Sequence, residues 1–148
     1  MKSTTVSPPL KLQMLVLGLS LALMLSTLGG PLRALPSLAD DQHITQSLMS
    51  AGVGDAIRKN CPSISARIFV VLRKVNELEK YAIELGYNKA EIKGFISSKP
   101  ERNRIRELVR EYMLENGVVE GKKETYCSLG RTEIAKGSLI GQLIWSWR

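Results

Sequence analysis

"SISARIFVVLRKVNELEKYAIEL", residues 63–85, is the stretch on which the fold turns. Ile64, Ile68, Val71, Leu72, Val75, Leu78, Ala82 and Leu85 recur at threes and fours, which sets them along one face of a helix. Ser63 suits the cap at its start, and Gly86 suits the left-handed residue that ends it. A stripe this long predicts the central helix, the one on which the others pack.

Toward the N-terminus, "DDQHITQSLMSAGVGDAIRKN" (40–60) places Ile44, Leu48 and Ala51 on one stripe with Ile57 further along. Asp40 and Asp41 sit at its electropositive end, while Gly52 and Gly54 predict a break or kink. Toward the C-terminus, "NKAE" (88–91) has capping-box spacing and introduces a short helix facing inward through Ile92, Phe95 and Ile96. "SSKP" (97–100) then turns the chain. Pro100 suits the first turn of a helix running to Asn116, with Ile105, Leu108, Val109, Tyr112 and Met113 as its inner stripe and Gly117 as terminator. "VVEGKK" (118–123) is a loop, a fifth helix spans 124–136 and closes at Gly137, and Ser138 restarts a last short helix through "LIGQLIW" (139–145). Nothing alternates convincingly at period two. The fold expected is all-α: a small bundle of five or six short helices around a long central helix, tied by one disulfide and preceded by a signal peptide.

The signal rests on the N-terminus. Lys2 and Lys11 flank a polar start, Leu12 to Leu28 runs uncharged as "LQMLVLGLSLALMLSTL", and Gly29, Gly30 and Pro31 break it. Ser37 and Ala39 are small residues at the positions a signal peptidase reads, which puts cleavage between Ala39 and Asp40. The expected domains are a signal over 1–39 and one helical domain over 40–148. A competing reading keeps the apolar run as an uncleaved inner-membrane anchor, since its 17 residues approach the roughly 18 to 20 that span hydrocarbon. Either way residues 40–148 face the periplasm, because Lys2 and Lys11 hold the N-terminus inside. Removing Lys2, Lys11 and Arg33 leaves 18 basic residues of 21 against 14 acidic, so the net charge falls from +7 to +4.

In an exported chain, two cysteines and no third point to one intrachain bridge, Cys61 to Cys127. The alternatives, a redox-active pair or a metal site, lack their partners. His43 is the sole histidine and lies near the mature N-terminus, away from any base-and-thiol arrangement. Two cysteines and one histidine do not fill a tetrahedral metal set, and no Cys-x-x-Cys or paired-His spacing occurs. The sequence therefore predicts no enzyme, no metal and no cofactor.

"CPSISAR" (61–67), "ELGYNKAEI" (84–92) and "ETYCSLGRTEIAKGSLIG" (124–141) together resemble a family of small exported alphaproteobacterial proteins known only as a domain of unknown function. The resemblance covers most of the mature chain and implies a secreted helical domain, one cysteine before proline and a second in a Tyr-Cys context. It carries no catalytic residues. It also implies, as an alternative, an accessory factor of a membrane respiratory complex. By fold class and composition alone, the chain is similar to the periplasmic stress chaperones, a further alternative.

Two surfaces are candidates. Lys99, Arg102, Arg104, Arg106 and Arg110 make a basic patch, but Glu107, Glu111 and Glu115 interleave with it, and the reading favoured is a solvated, salt-bridged face. Export and the lack of interleaved aromatics exclude nucleic acid as partner. The C-terminus concentrates Ile140, Ile144, Trp145 and Trp147, either docked as core or presented with Arg148 as an anchor for a protein partner or a membrane surface. The function expected is a non-enzymatic exported domain that binds a protein partner in the periplasm or at its membrane surface.

Overall fold

The computed structural model describes residues 37–147. Of the signal or anchor read over residues 1–39, residues 1–36 lie outside the described residues, as does Arg148. The chain opens with a 3-10 turn at Leu38–Asp40, followed by α1 (Gln42–Asn60), β1 (Ile64–Ala66), α2 (Ile68–Glu84), α3 (Lys89–Ser97), α4 (Lys99–Glu115), α5 (Lys123–Lys136), α6 (Leu139–Leu143) and β2 (Ile144–Ser146). The boundary read between Ala39 and Asp40 runs through the opening turn, whose Leu38 is buried and whose Ala39 carbonyl accepts from the Thr45 hydroxyl.

The central helix is α1, which touches the opening turn, β1, α2, α4, α5 and α6. That corrects the expectation placed on 63–85. Asp41 caps α1 by accepting from the Ile44 N–H at 2.9 Å, and Arg58 and Lys59 complement the carbonyl end. The helix runs unbroken through Gly52 and Gly54. Gly52 instead lets α4 approach, since a Cβ there would stand 2.6 Å from Val109 Cγ2. A helix contacted on several sides needs small and apolar residues all round, so it shows no clean stripe.

The stretch 63–85 begins as a strand rather than a helix. β1 pairs antiparallel with β2, setting Ile64 opposite Ser146, Ser65 opposite Trp145 and Ala66 opposite Ile144. The Cys61-Pro62 turn sends Ile64 into the core, and pairing with the chain's far end outweighs local helix propensity. Ser63 caps nothing; its carbonyl accepts from the Ser146 hydroxyl at 3.1 Å. Helix α2 starts at Ile68, and the Arg67 N–H donates to the Leu143 carbonyl at 2.8 Å.

Other boundaries agree with the sequence reading. The capping box of Asn88 and Glu91 is complete, Ser98 caps α4 with Pro100 in its first turn, and Gly137 ends α5 at φ +62°. The main core gathers Val53, Ile57, Ile64, Met113, Leu129 and Ile144, while a second forms where Leu38 and Ile44 meet Ala82 and Ile92.

The α5–α6 corner is built around a buried carboxylate. The Ser138 hydroxyl donates to Glu133 Oε2 at 2.5 Å and accepts from the Gly141 N–H, and Lys136 reaches Oε1 at 3.2 Å. Gly141 is required, because a Cβ would lie 2.0 Å from the Glu133 carbonyl oxygen. Burial pushes the Glu133 carboxyl up, but hydrogen bonds from Ser138, Lys136 and Tyr112 outweigh it and hold the group below its ordinary value of 4.5. Its stabilising contribution is thus complete above that value and is lost as pH falls through the lower, folded-state one.

Cys61 and Cys127 form the expected disulfide, fixing α5 to the C-terminal end of α1. Closing a loop with a separation of 66 residues stabilises by about 4 kcal/mol in the chain-entropy model. Two outcomes are expected. Replacing Cys61 and Cys127 together by serine lowers the thermal midpoint on the order of 15 °C in circular-dichroism melts, and an unshifted midpoint would remove the bond's structural role. Glu133→Gln costs about 1–3 kcal/mol in urea titrations at pH 7 and less at pH 3; an equal cost at both would show that the charge is not what stabilises the corner.

Candidate functional site

Helix α2 is fastened to the rest of the fold near its two ends. At its start, β1 and the Arg67–Leu143 hydrogen bond hold it to α6 and the ribbon. Toward its end, the Tyr81 hydroxyl donates to Asp41 Oδ2 at 2.9 Å, the His43 ring meets the Tyr81 ring edge-on at 4.7 Å, and Ala82 packs on the second core. Because the start of α1 meets the end of α2, the two helices run antiparallel. Between the fastenings they part, leaving an open groove of about 710 Å³.

Leu48 and Ala51 of α1 and Val71, Val75 and Leu78 of α2 form its walls, over a floor of Ile64, Leu143 and Ile144. The apolar face of α2 continues outside the groove through Phe69 and Leu72, and Ile68 and Val75, which line the groove, are largely exposed as well. Phe69 is 88% exposed, Ile68 60%, and Leu72 and Val75 55% each. A stripe that reads as core from its period alone is here half in water. The signal that marks it is width: with Phe69 beside Ile68 and Leu72, the apolar arc exceeds what one neighbouring helix covers.

The charged residues that line the groove are balanced, Arg58 and Lys74 against Asp55 and Glu77. Asp55 is shared by Arg58 at 2.5 Å and Lys59 at 2.6 Å, and Glu77 by Lys74 at 2.9 Å and Arg73 at 3.8 Å. Burial opposes the charge on Asp55, but hydrogen bonds from Lys59 and Arg58 outweigh it and hold the carboxyl below its usual range. The Lys74 hydrogen bond does the same for Glu77. Both carboxylates are therefore ionised at neutral pH, and each is outnumbered two to one. Arg67 adds a further cation at the ribbon end, without an ion pair among the described residues.

The C-terminal residues separate into two classes. Ile140 and Ile144 are buried in the main core and so face no partner, which corrects the expectation for them. Trp145 and Trp147 are 41% and 51% exposed, in edge-on contact with ring centroids 5.5 Å apart. Trp145 stands opposite Ser65, three residues before Ile68, so the tryptophans extend the exposed apolar surface at the ribbon end.

The basic residues of α4 do not act together. Arg104 is engaged by the buried Glu101 through two hydrogen bonds of 2.8 and 2.7 Å, and its Nη2 also donates to Thr45. Arg110 is paired with Glu107, and Arg106 with Asn103 and the Arg102 carbonyl. Lys99 and Arg102 are exposed, and Arg102 and Arg106 border a second hollow of about 570 Å³ with Leu48, Ile96 and Ile105. Of the interleaved glutamates, Glu107 makes an ion pair, with Arg110, while the partner of Arg104 is Glu101. His43, read as near a terminus, is held in the first turn of α1 at the groove's end.

Both cysteines are consumed in the disulfide, and no group of three or more His, Cys, Asp or Glu is arranged for a metal among the described residues. No helix among the described residues is long and apolar enough to cross a membrane.

Residues 36–145 match a family described as "Family of unknown function (DUF5333)", and the chain belongs to that family. No curated protein and no solved structure matches it.

The tryptophans, the only two in the chain, make this surface measurable. Replacing Trp145 and Trp147 together by alanine is expected to keep a cooperative melt with the thermal midpoint lowered by no more than about 10 °C, since half-exposed side chains contribute about 1 kcal/mol each. In the parent, acrylamide is expected to quench both. A collapsed double variant, or fluorescence shielded from quencher, would return these residues to the core.

Proposed function

We propose that this member of the family of unknown function is a non-enzymatic, exported binding domain, which docks a protein partner in the periplasm or at its membrane surface on the apolar face of α2. The observation that carries the reading is the exposure of Ile68, Phe69, Leu72 and Val75 on one helix. A contiguous apolar patch of this kind on a folded domain marks an interaction site rather than ordinary surface. The disulfide suggests an oxidising, exported environment, and it supplies rigidity to the core apart from the docking helix.

The ionisable groups support binding over catalysis. Asp55 and Glu77 are committed to ion pairs, and Tyr81 donates to Asp41 at the groove's far end, so none of these stands as a free acid or base in the groove. Trp145 and Trp147 favour docking at a membrane surface, where amphipathic rings sit comfortably.

In vivo photo-crosslinking tests this. A photoreactive residue at position 69 is expected to yield a discrete protein adduct that Val75→Asp reduces at least about tenfold, since burying a carboxylate in an apolar interface costs more than the tenfold equivalent. The same probe at position 106, on the salt-bridged face, is expected to yield none. Equal adducts from both positions, or none from position 69, would end the docking reading.

A further inference from the structure

We infer that this chain is processed during export at the Ala34–Leu35 bond, so that the mature domain begins at Leu35 and keeps its opening turn whole. The inference rests on the export reading above and fixes where export leaves the end of the chain. Behind the apolar run the sequence offers a signal peptidase two bonds preceded by alanine, Ala34–Leu35 and Ala39–Asp40. The opening turn lies between them and decides. Ser37 caps it, its Oγ accepting from the Ala39 N–H at 3.2 Å and its carbonyl from the Asp40 N–H at 2.9 Å. Leu38 is 5% exposed and belongs to the second core with Ile44, Ala82 and Ile92. A cut at Ala39–Asp40 would discard Ser37, Leu38 and Ala39 together.

More than one side chain would go with the turn. The Ala39 carbonyl accepts from Thr45 Oγ1 at 3.2 Å, Thr45 Oγ1 accepts from Arg104 Nη2 at 3.0 Å, and Arg104 is held in turn by the buried Glu101. The turn therefore ends a run of hydrogen bonds that ties α1 to α4. Without Ala39 the Thr45 hydroxyl loses its acceptor. The cut would also leave an α-ammonium on Asp40, ahead of the first turn of α1, where a helix favours negative charge. That ammonium would oppose the Asp40 carboxylate, which adds to Glu101 in stabilising the Arg104 cation. A peptidase reads the unfolded chain, so the fold does not choose the bond. A domain built from Ser37, Leu38 and Ala39 is nonetheless one in which those residues outlive processing. Spacing agrees with this. The apolar run ends at Leu28, so Ala34 follows it by six residues and Ala39 by eleven, and the shorter distance suits the compact cleavage region of a signal. Leu32, at the minus-three position, is larger than Ser37 but uncharged. The family match begins at residue 36 and takes in the whole turn, which groups the turn with the domain rather than the leader.

The test is the intact mass, taken without reductant, of the protein recovered from each fraction of a Gram-negative host that expresses the full chain. The periplasmic fraction is expected to hold residues 35–148 with the disulfide formed. Ala34→Leu is expected to accumulate the precursor, whereas Ala39→Leu is expected to be cut as the parent is, because a signal peptidase requires a small residue just before the bond. Leu38→Ala is expected to be cut at the same bond and to lower the thermal midpoint of the recovered domain by about 10 °C. A periplasmic, disulfide-bonded chain beginning at Asp40, or precursor accumulating with Ala39→Leu, would overturn the inference and leave the export reading standing. A start at any other residue before Ser37 would keep the turn but overturn the bond. A full-length chain held in the membrane with its disulfide formed would replace cleavage by an anchor. An unshifted midpoint for Leu38→Ala would overturn the argument from the turn. A full-length, reduced chain in the cytoplasm would end the export reading, and this inference with it.

Discussion

The fold depends on how closely α5 crosses α1 at Gly130. A Cβ at this position would lie 2.4 Å from Ile64 Cδ1 and 2.7 Å from Ile57 Cγ2, so a side chain here would force both isoleucines to shift. The disulfide lies one turn away on both partners: Cys61 is four residues beyond Ile57, and Cys127 is three before Gly130. A close crossing of helix and isoleucine side chains is thus locked covalently beside itself. Ile64 inserts into the junction straight after the Cys61-Pro62 turn, and Ile144 reaches it from the far end of the chain at 3.7 Å from the same virtual Cβ. The β1–β2 ribbon exists because these two isoleucines must both arrive there.

For α2 the consequence is geometric. The ribbon sets where the helix starts, and Asp41 with Tyr81 sets how its later turns return to α1. Neither fastening draws the middle of the helix down, so Val71 and Val75 stand over a groove instead of meeting Ala51 and Leu48 closely. The cost is real: each large apolar side chain left in water forgoes about 1.5–3 kcal/mol relative to full burial. The main core lies elsewhere, among α1, α4, α5, α6 and the ribbon, so the exposed face of α2 does not decide whether the domain folds. A scaffold stabilised apart from its interaction face can keep that face apolar.

Much of this was legible in the sequence, and the failures share a cause. Local signals worked where the physics is local: the Asn88–Glu91 box, Ser98 before Pro100, Gly137 at positive φ and the pairing of two cysteines. Periodicity misplaced the centre. A stripe is produced by having one buried side, so the strongest stripe belongs to a peripheral helix, while α1, touched from several directions, looks irregular and its glycines resemble breaks. The ribbon was invisible because three residues pair across a separation of about 80, and a strand that short carries no period. Among the C-terminal candidates, Ile144 and Trp145 are neighbours with opposite fates. Strand alternation separates them, and helix periodicity could not. The groove needed both corrections first, since it lies between a helix taken to be central and one taken to be broken.

The groove's two ends answer to different conditions. The ribbon end is set by the Gly130 junction and its disulfide, a bond that persists in oxidising compartments. The far end is held by the Asp41 carboxylate. Its hydrogen bond from the Ile44 N–H, opposed by burial and aided by the Tyr81 hydroxyl, keeps the group below its ordinary value of 3.8. A carboxyl depressed in the folded state gives its stabilisation in full above the unfolded value and loses it only as pH falls through the lower one. Mild acid therefore leaves Asp41 ionised and the Tyr81 fastening intact. Here Ile68, Phe69, Leu72 and Val75 are already exposed in the folded domain, so presenting them needs no acid-triggered opening.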